Sequence, residues 1–138
     1  MNGYYVSTDK AKLNLDLIHG FLSRESYWAK GRSLDVVRKS IENSICFGVF
    51  KADQQIGFAR VVTDYSVFAW IMDVFIVNNH RKGGLGKLLM ESIMKHNELQ
   101  KLQRWGLATD DAHGLYEKFG FRMLTRPDTF MEIVSKPS

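Results

Sequence analysis

Residues 77–87, with the sequence VNNHRKGGLGK, join an apolar segment to an amphipathic one and contain three glycines within four positions. Glycine has no Cβ, so a glycine-rich connection lets the backbone approach a ligand closely. The free N–H groups of the helical turn that follows form an anion site, aided by the positive end of the helix. The stretch therefore predicts a phosphate or pyrophosphate site, with a simple helix-capping connection as the alternative.

Counting positions excludes two common phosphate-binding motifs. A Walker A loop needs a glycine five residues before the Gly86-Lys87 pair, but that position is Arg81. It also needs Ser or Thr after Lys87, where Leu88 stands. A Rossmann fingerprint needs a glycine three residues after Gly86, and Leu89 occupies that position. The loop is thus neither a Walker A site for a nucleoside triphosphate nor a Rossmann site for a dinucleotide.

The flanking periodicities predict an α/β fold with a mixed sheet and helices on both faces, in the order β-α-α-β-β-β-α-β-α-β-β. No repeat, linker or low-complexity tract interrupts the chain, so a single domain over residues 1–138 is expected. Ser33 is the predicted N-cap of the second helix, Asp110 or Asp111 that of the last helix, and Gly120 ends that helix. The predicted strands are 4–8, 45–51, 55–63, 68–77, 105–108, 121–124 and 129–134, and the helices begin near residues 12, 34, 85 and 112.

Composition narrows the class of protein. With 138 residues, 45% of them hydrophobic and 25% charged, the chain can bury a core without disulfides or metals. The one cysteine, Cys46, lies in an apolar run and is expected to be a buried thiol rather than a nucleophile. The chain shows neither a leader-like N-terminus nor an 18-residue apolar stretch, so a cytoplasmic protein without membrane contact is expected. Its net charge of +4 is dispersed and not interleaved with aromatics, which argues against a nucleic-acid partner.

Two spaced motifs suggest a family. Arg81, Gly84 and Gly86 form Arg-x-x-Gly-x-Gly, and residues 112–121 read AHGLYEKFGF. The pair resembles the cofactor loop and the C-terminal Ala-x-x-Leu-Tyr-Glu-Lys-x-Gly-Phe signature of the GNAT superfamily of N-acetyltransferases, here a small single-domain member of bacterial type. The predicted order of elements is similar to that fold along nearly the whole chain.

The resemblance implies transfer of an acetyl group from acetyl-CoA to a primary amine of a small molecule or peptide, by direct attack in a ternary complex. The alternative is a non-catalytic acyl-CoA-binding or regulatory module. The resemblance also implies a splayed strand edge for the pantetheine arm, with an amide near Val77 polarising the thioester oxygen. The implied cofactor-binding residues are Phe75, Ile76, Val77, Arg81, Lys82, Gly83, Gly84, Leu85, Gly86, Lys87, Thr109 and Tyr116.

Tyr116 is the candidate general acid for the departing thiolate, although it also lies on the apolar stripe of its helix and could simply pack there. The base is open. Asp73 interrupts an apolar strand and could take the amine proton, directly or through water, or could be a structural partner of Arg60. His113 is the second candidate base, and a solvated or helix-packing histidine is its alternative.

One position departs from the family pattern. Many members carry asparagine seven residues before the motif tyrosine, and this chain has Thr109, which leaves a pantetheine contact in doubt.

The residues expected to bind the acceptor are Tyr27, Trp28, Arg32 and Arg60, with coverage of the core edge as the alternative for the two aromatics. The sequence leaves the oligomeric state open, with a homodimer as one possibility because similar proteins commonly form one.

Overall fold

The strands and α-helices of the computed structural model, which describes residues 3–81 and 83–135, follow the predicted order as far as residue 117. They are β1 Tyr4–Ser7, α1 Leu15–Gly20, α2 Leu34–Glu42, β2 Ile45–Lys51, β3 Gln54–Thr63, β4 Phe68–Ile76, α3 Leu85–Lys95, β5 Arg104–Leu107 and α4 His113–Glu117. The sheet has the order β1-β2-β3-β4-β5; β4 and β5 run parallel and the other neighbours antiparallel. This confirms a mixed α/β sheet.

Two apolar clusters cover the two faces of the sheet. One joins β2, β3 and β4 to the buried side chains of α3 and to Tyr116 of α4. The other joins Phe58 and Phe75 to Ile18 of α1 and Val37 of α2. Helices therefore pack on both faces, as the order of the elements predicts. In the described part of the chain, no helix has both the length and the apolarity to cross a bilayer.

The N-termini of α1 and α2 can be compared with the predicted helix starts. The Ser33 side chain accepts from the Val36 N–H at 3.2 Å and begins α2, as predicted. The first helix begins later than predicted, at Asn14, whose side chain accepts from the Leu17 N–H. It ends in a wider turn over Phe21–Glu25.

At α4 the predicted N-cap is wrong and the predicted C-terminal glycine is confirmed. Neither Asp110 nor Asp111 caps the helix; the Thr109 hydroxyl accepts from the Ala112 N–H at 3.1 Å instead. At the other end Gly120 has φ of +96°, and the N–H of the following Phe121 bonds the Tyr116 carbonyl. This is a Schellman C-cap, the role predicted for Gly120.

A bulge in β4 sets the geometry of the site. Arg60 of β3 faces Met72, and Phe58 faces Phe75, so two residues of β4 oppose one of β3. The extra residue is Asp73, whose φ is +55°. Bulges re-aim side chains. Ile71 packs against α3, and the Asp73 side chain points to the opposite face of the sheet, towards the segment between α1 and α2.

Beyond this bulge β4 and β5 separate. Their pairing runs from Phe68 opposite Arg104 to Ile71 opposite Leu107, and β4 then continues to Ile76 paired with β3 on its other side but without β5. A parallel pair that stops halfway leaves backbone groups of the longer strand without a β5 partner. Gly106 supports the paired half, because a Cβ there would collide with the ring of Trp70.

The two closing strands predicted at 121–124 and 129–134 are wrong for the described chain. Residues 121–135 contain a single 3-10 turn, Pro127–Thr129, and no strand. Met131 is 97% exposed and Ile133 is 96% exposed. The two segments contain β-favouring residues but do not form strands in the described chain, because a strand is stable only when a neighbouring strand pairs with its backbone groups.

Two glycines at and after α4 allow a matched test of backbone strain. An added Cβ meets nothing within 4 Å at either Gly114 or Gly120, but only Gly120 has a positive φ. We expect Gly120→Ala to lower the free energy of unfolding by about 1–2 kcal/mol. Gly114→Ala should leave it unchanged or raise it by up to about 1 kcal/mol, because alanine favours helix. Urea denaturation of both variants checks this, and equal effects would contradict it.

Candidate functional site

A cleft of about 290 Å³ opens where β4 and β5 separate. One wall is the segment between α1 and α2, and the other is the connection from β5 to α4 together with Tyr116. The side chains that matter for chemistry in it are aromatic, acidic or guanidinium groups. They are Tyr27, Trp28, Arg32, Trp70, Asp73, Asp110, Asp111 and Tyr116.

The Asp73 carboxylate is held by three side chains. Arg60 donates from Nε to Oδ2 at 2.9 Å, Arg32 donates from Nη1 to both oxygens at 3.0 and 3.1 Å, and Trp28 donates from Nε1 to Oδ1 at 2.9 Å. The Asp73 side chain has no exposed surface. A carboxylate with its oxygens already engaged is poorly placed to take a proton, so the geometry favours the structural alternative over the base.

Arg60 lies behind this network rather than in the cleft. Its Nη1 donates to the Ser44 hydroxyl at 3.0 Å and its Nη2 contacts the Met72 sulfur at 3.5 Å. It is buried and does not line the cleft. The structure therefore does not place Arg60 where an acceptor in the cleft would contact it, because each guanidinium nitrogen has a partner inside the fold. Arg32, in contrast, lines the cleft as expected.

Tyr27 connects the two walls. Its hydroxyl accepts the Asp110 N–H at 3.0 Å, and its ring packs edge-to-face on Trp28 with centroids 4.9 Å apart. Trp28 is in turn anchored on Asp73. Both aromatics expected in the acceptor pocket thus line the cleft, and both are also held by hydrogen bonds that shape it.

Tyr116 is buried in the α3–α4 core and also faces the cleft. Burial raises the pKa of the Tyr116 phenol to about 12, with further contributions from Tyr27 and Asp111. The hydroxyl therefore holds its proton throughout the neutral range. The packing role and the position needed by a proton donor occur together in one side chain.

His113 is on a different surface. It is exposed at the start of α4 and lines a second cavity of about 260 Å³, on the outer side of β5. That cavity shares Trp70, Thr109 and Tyr116 with the cleft, but it does not contain Asp73 or Trp28. The structure does not bring the two candidate bases, Asp73 and His113, together.

The glycine loop presents the start of α3. Gly84 has φ of +78°, a conformation that favours glycine, and its carbonyl accepts the Leu88 N–H. The amides of Leu85, Gly86 and Lys87 precede this first helical bond and are free to bind an anion. Gly83 is exposed beside them, and Lys82 lies outside the described residues.

Gly86 and Arg81 have additional structural roles. A Cβ on Gly86 would lie 3.3 Å from Leu115, so this glycine permits the close packing of α3 on α4. Arg81 donates from Nε to the Ile76 carbonyl at 2.9 Å, which ties the loop to the end of β4. The motif predicted to bind phosphate is thus also a packing motif.

The amide of Val77 is not available to polarise a carbonyl, because it donates to the Ile56 carbonyl at 2.9 Å. Backbone groups alternate along a strand, so the Ile76 N–H points to the opposite edge, where β5 has diverged. The Phe75 side chain is buried and stacked on Phe21 at 4.1 Å. Of the three residues expected at this edge, Ile76 is the one whose amide is oriented towards the opening.

Several cleft residues were not identified from sequence. Trp70 and Met72 belong to a predicted apolar strand in which Asp73 was singled out but these two residues were not, and Asp110 and Asp111 were expected to cap a helix. Gly106 opposite Trp70 was the available signal, since a small residue in a strand marks a close approach.

Cys46 is buried as expected, and burial raises its pKa to about 11. Among the described residues no group of His, Cys, Asp and Glu is arranged to hold a metal ion.

Comparison with known families gives one match that spans more than half of the chain. The model of the acetyltransferase (GNAT) domain matches residues 42–123, from the end of α2 to the segment after α4. The matched range contains the bulge, the glycine loop and Tyr116.

Individual proteins similar to this chain are also described as acetyltransferases. A candidate acetyltransferase of Gibberella zeae is 29% identical over 86% of this chain and 79% of its own length. A crystal structure from Xanthomonas campestris, described as belonging to the GNAT family, is 44% identical with a TM-score of 0.95, covering 98% of this chain and 95% of that one. A candidate acetyltransferase of Clostridium acetobutylicum, solved with acetyl-CoA, is 12% identical with a TM-score of 0.66, covering 95% and 94% of the two chains, and shares the fold.

The Asp73 network yields a stability prediction. Asp73→Asn keeps the side-chain shape but leaves two guanidinium groups without a negative partner, so we expect a loss of about 3–5 kcal/mol in the free energy of unfolding. Asp35→Asn is the matched control, because its ion pair with Arg38 is exposed and should contribute little. Denaturant titration measures both, and comparable small losses would show that the buried network does not stabilise the fold.

Proposed function

The chain belongs to the GNAT family of acetyltransferases, and we propose that it transfers the acetyl group of acetyl-CoA to a primary amine held in the cleft between β4 and β5. The observation that carries the proposal is the position of Tyr116, a protonated phenol on the wall of a cleft that opens at a splayed parallel pair. The amine belongs to a small molecule or to an exposed amino group of a peptide.

The residues present fit the donor substrate. The three free amides at the start of α3 suit a pyrophosphate. Gly84, whose positive φ favours glycine, has no side chain that would block the approach to them. The unpaired edge of β4 near Ile76 suits an amide-bearing arm, which could pair with it as a strand does. The Thr109 hydroxyl, which accepts from Ala112, keeps its own proton for donation to that arm. Acetyl-CoA supplies an acyl group already activated as a thioester.

In the proposed transfer the amine nitrogen attacks the thioester carbonyl, a C–N bond forms and the C–S bond breaks. Tyr116 donates its proton to the departing thiolate. The Ile76 amide is the backbone donor oriented to stabilise charge on the carbonyl oxygen. We propose that the amine loses its proton to water in the cleft, because the three side-chain donors on Asp73 leave its carboxylate unable to act as the base.

Charge in the cleft indicates the class of acceptor. Arg32 contributes one positive charge to the lining, while Asp73, Asp110 and Asp111 contribute three negative ones. Asp73 is neutralised by its arginine partners, and Asp110 and Asp111 remain exposed at the opening. A free amine is a cation in water and is attracted there. The rings of Tyr27, Trp28 and Trp70 suit an apolar body, or the cation itself. We therefore propose an acceptor that combines a primary amine with an apolar or aromatic group.

Thiol release from acetyl-CoA over a panel of amines tests the reaction and the acceptor together. We expect turnover with amines that carry an apolar or aromatic group and little with acidic amino compounds. Asp110→Asn combined with Asp111→Asn should raise KM for the amine by several-fold, because two attracting charges are lost. The double variant Asp35→Asn and Asp53→Asn changes the net charge equally, away from the cleft, and should leave KM unchanged. Tight CoA binding without turnover on any amine would contradict the enzyme and favour the non-catalytic binding module.

Tyr116→Phe tests the acid. We expect kcat to fall by about 10²-fold or more while CoA affinity is retained, because the phenol acts only as the thiolate leaves. Tyr65→Phe, on an exposed turn, is the control and should be neutral. The pKa of about 12 for Tyr116 lies above the unperturbed value of 10.0, so the protonated form is favoured. Hence kcat should show no falling limb from Tyr116 until the pH approaches 12. An unchanged kcat in Tyr116→Phe would exclude this role.

A further inference from the structure

A hydrogen bond joins the beginning of the glycine loop to the N-terminal strand. The Tyr4 hydroxyl of β1 lies 3.0 Å from Nδ1 of His80, and 76 positions separate the two residues along the chain. Their rings also pack edge-to-face, with centroids 5.9 Å apart. The loop is thus tied to two strands, to β4 through the Arg81 side chain and to β1 through His80.

Both partners of this bond are held by further contacts. Lys51 stands opposite Tyr4 in β2, and its ammonium lies 5.1 Å from the centroid of the tyrosine ring, where a cation is attracted to the π face. His80 ends the turn Asn78–His80, and its N–H donates to the Val77 carbonyl at 3.0 Å. The geometry of the pair is therefore set by the sheet and not by the loop alone.

The bond determines which nitrogen of a neutral His80 ring carries the proton. A phenol is the stronger acid and an imidazole nitrogen the stronger base, so the Tyr4 hydroxyl donates and Nδ1 accepts. The proton of the neutral ring is then on Nε2. In the described chain every buried side-chain nitrogen and oxygen has a partner, and no described group bonds Nε2. The Nε2–H group is therefore a donor that faces solvent.

We infer that His80 donates from Nε2 to a phosphate oxygen of the donor substrate, and that Tyr4 is the positioning residue that orients it. This contact rests on the proposed function, in which the amides at the start of α3 hold a pyrophosphate. The Arg81 bond to the Ile76 carbonyl folds the loop back on the end of β4, the edge that the arm of the substrate follows. A hydrogen bond to a phosphate oxygen is charge-assisted, so one further donor on the loop strengthens binding measurably.

Titration calorimetry of CoA with the full chain tests the contact. Tyr4→Phe and His80→Phe each keep an aromatic ring and remove one partner of the bond. We expect His80→Phe to weaken CoA binding about 10-fold, because one hydrogen bond to a charged group is lost. Tyr4→Phe should weaken it about 3-fold, because the orientation and tautomer of the imidazole are no longer fixed. The double variant should bind CoA no more weakly than His80→Phe, since Tyr4 acts through His80.

Tyr5→Phe is the matched control. Tyr5 follows Tyr4 in β1, and its side chain projects to the other face of the strand, where the hydroxyl donates to the Ala52 carbonyl at 3.0 Å. The substitution removes a hydrogen bond of the same kind from the same strand. It should leave CoA affinity unchanged, whatever it does to the free energy of unfolding.

Nitrogen NMR of the His80 ring gives a readout that a purely structural tether would not produce. At about pH 8, where an ordinary imidazole is neutral, we expect an acceptor Nδ1 and a proton-bearing Nε2. Addition of CoA should shift the Nε2 signal, and Tyr4→Phe should mix the two tautomers. The opposite tautomer in the unaltered chain, or an Nε2 signal that CoA leaves unchanged, would overturn the contact.

CoA binding and turnover separate this contact from the proposed function. Affinity that survives both single substitutions would overturn the contact and leave acetyl transfer standing. Additive losses in the double variant would overturn the positioning role of Tyr4. The expected losses in a chain that turns over no amine would support the contact and contradict the enzyme. An unaltered chain that does not bind CoA would contradict both.

Discussion

The buried carboxylate of Asp73 is the interaction on which the site depends. A single charge with no exposed surface is stable in this fold because Arg60 of β3 and both Trp28 and Arg32 of the segment between α1 and α2 donate to it. Asp73 reaches them only because it is the extra residue of the β4 bulge, with φ of +55°. The network thus compensates backbone strain and fixes the segment between α1 and α2, which becomes one wall of the cleft.

The bulge and the separation of β4 from β5 divide the site into an end formed by the first turn of α3 and an end lined by acidic side chains. Past the bulge β4 runs on without its parallel neighbour and delivers the chain to the glycine loop, where the amides of α3 point outward. On the other side of the opening Asp110 and Asp111 supply negative charge, and Tyr116 lies between the two ends. The arrangement separates the positive end of a helix from an acidic opening, which fits the proposed pair of substrates with opposite charge.

The glycines illustrate how one residue type answers different physical demands. Gly84 is required by a left-handed backbone, Gly86 by the approach of α3 to α4, and Gly106 by the ring of Trp70. Only the first reason can be deduced from a local turn pattern. The other two depend on a partner far along the chain, so Gly86 of the motif Arg-x-x-Gly-x-Gly has a packing role besides its predicted role in ligand binding.

The sequence by itself determined the order of the elements as far as residue 117, the Ser33 and Gly120 caps, the glycine loop and the family motif around Tyr116, because these follow from short-range periodicity and local backbone chemistry. It left open whether Asp73 was a base or a partner of Arg60, placed Arg60 in the cleft, assigned the helix cap to Asp110 or Asp111, and closed the sheet with two more strands. Only the tertiary structure showed that Asp73 and Arg60 are bonded to each other, that Arg60 does not line the cleft, that neither aspartate caps the helix, and that residues 121–135 contain no strand. A bulge shifts which face a side chain occupies, and a strand needs a neighbour that no local pattern can supply.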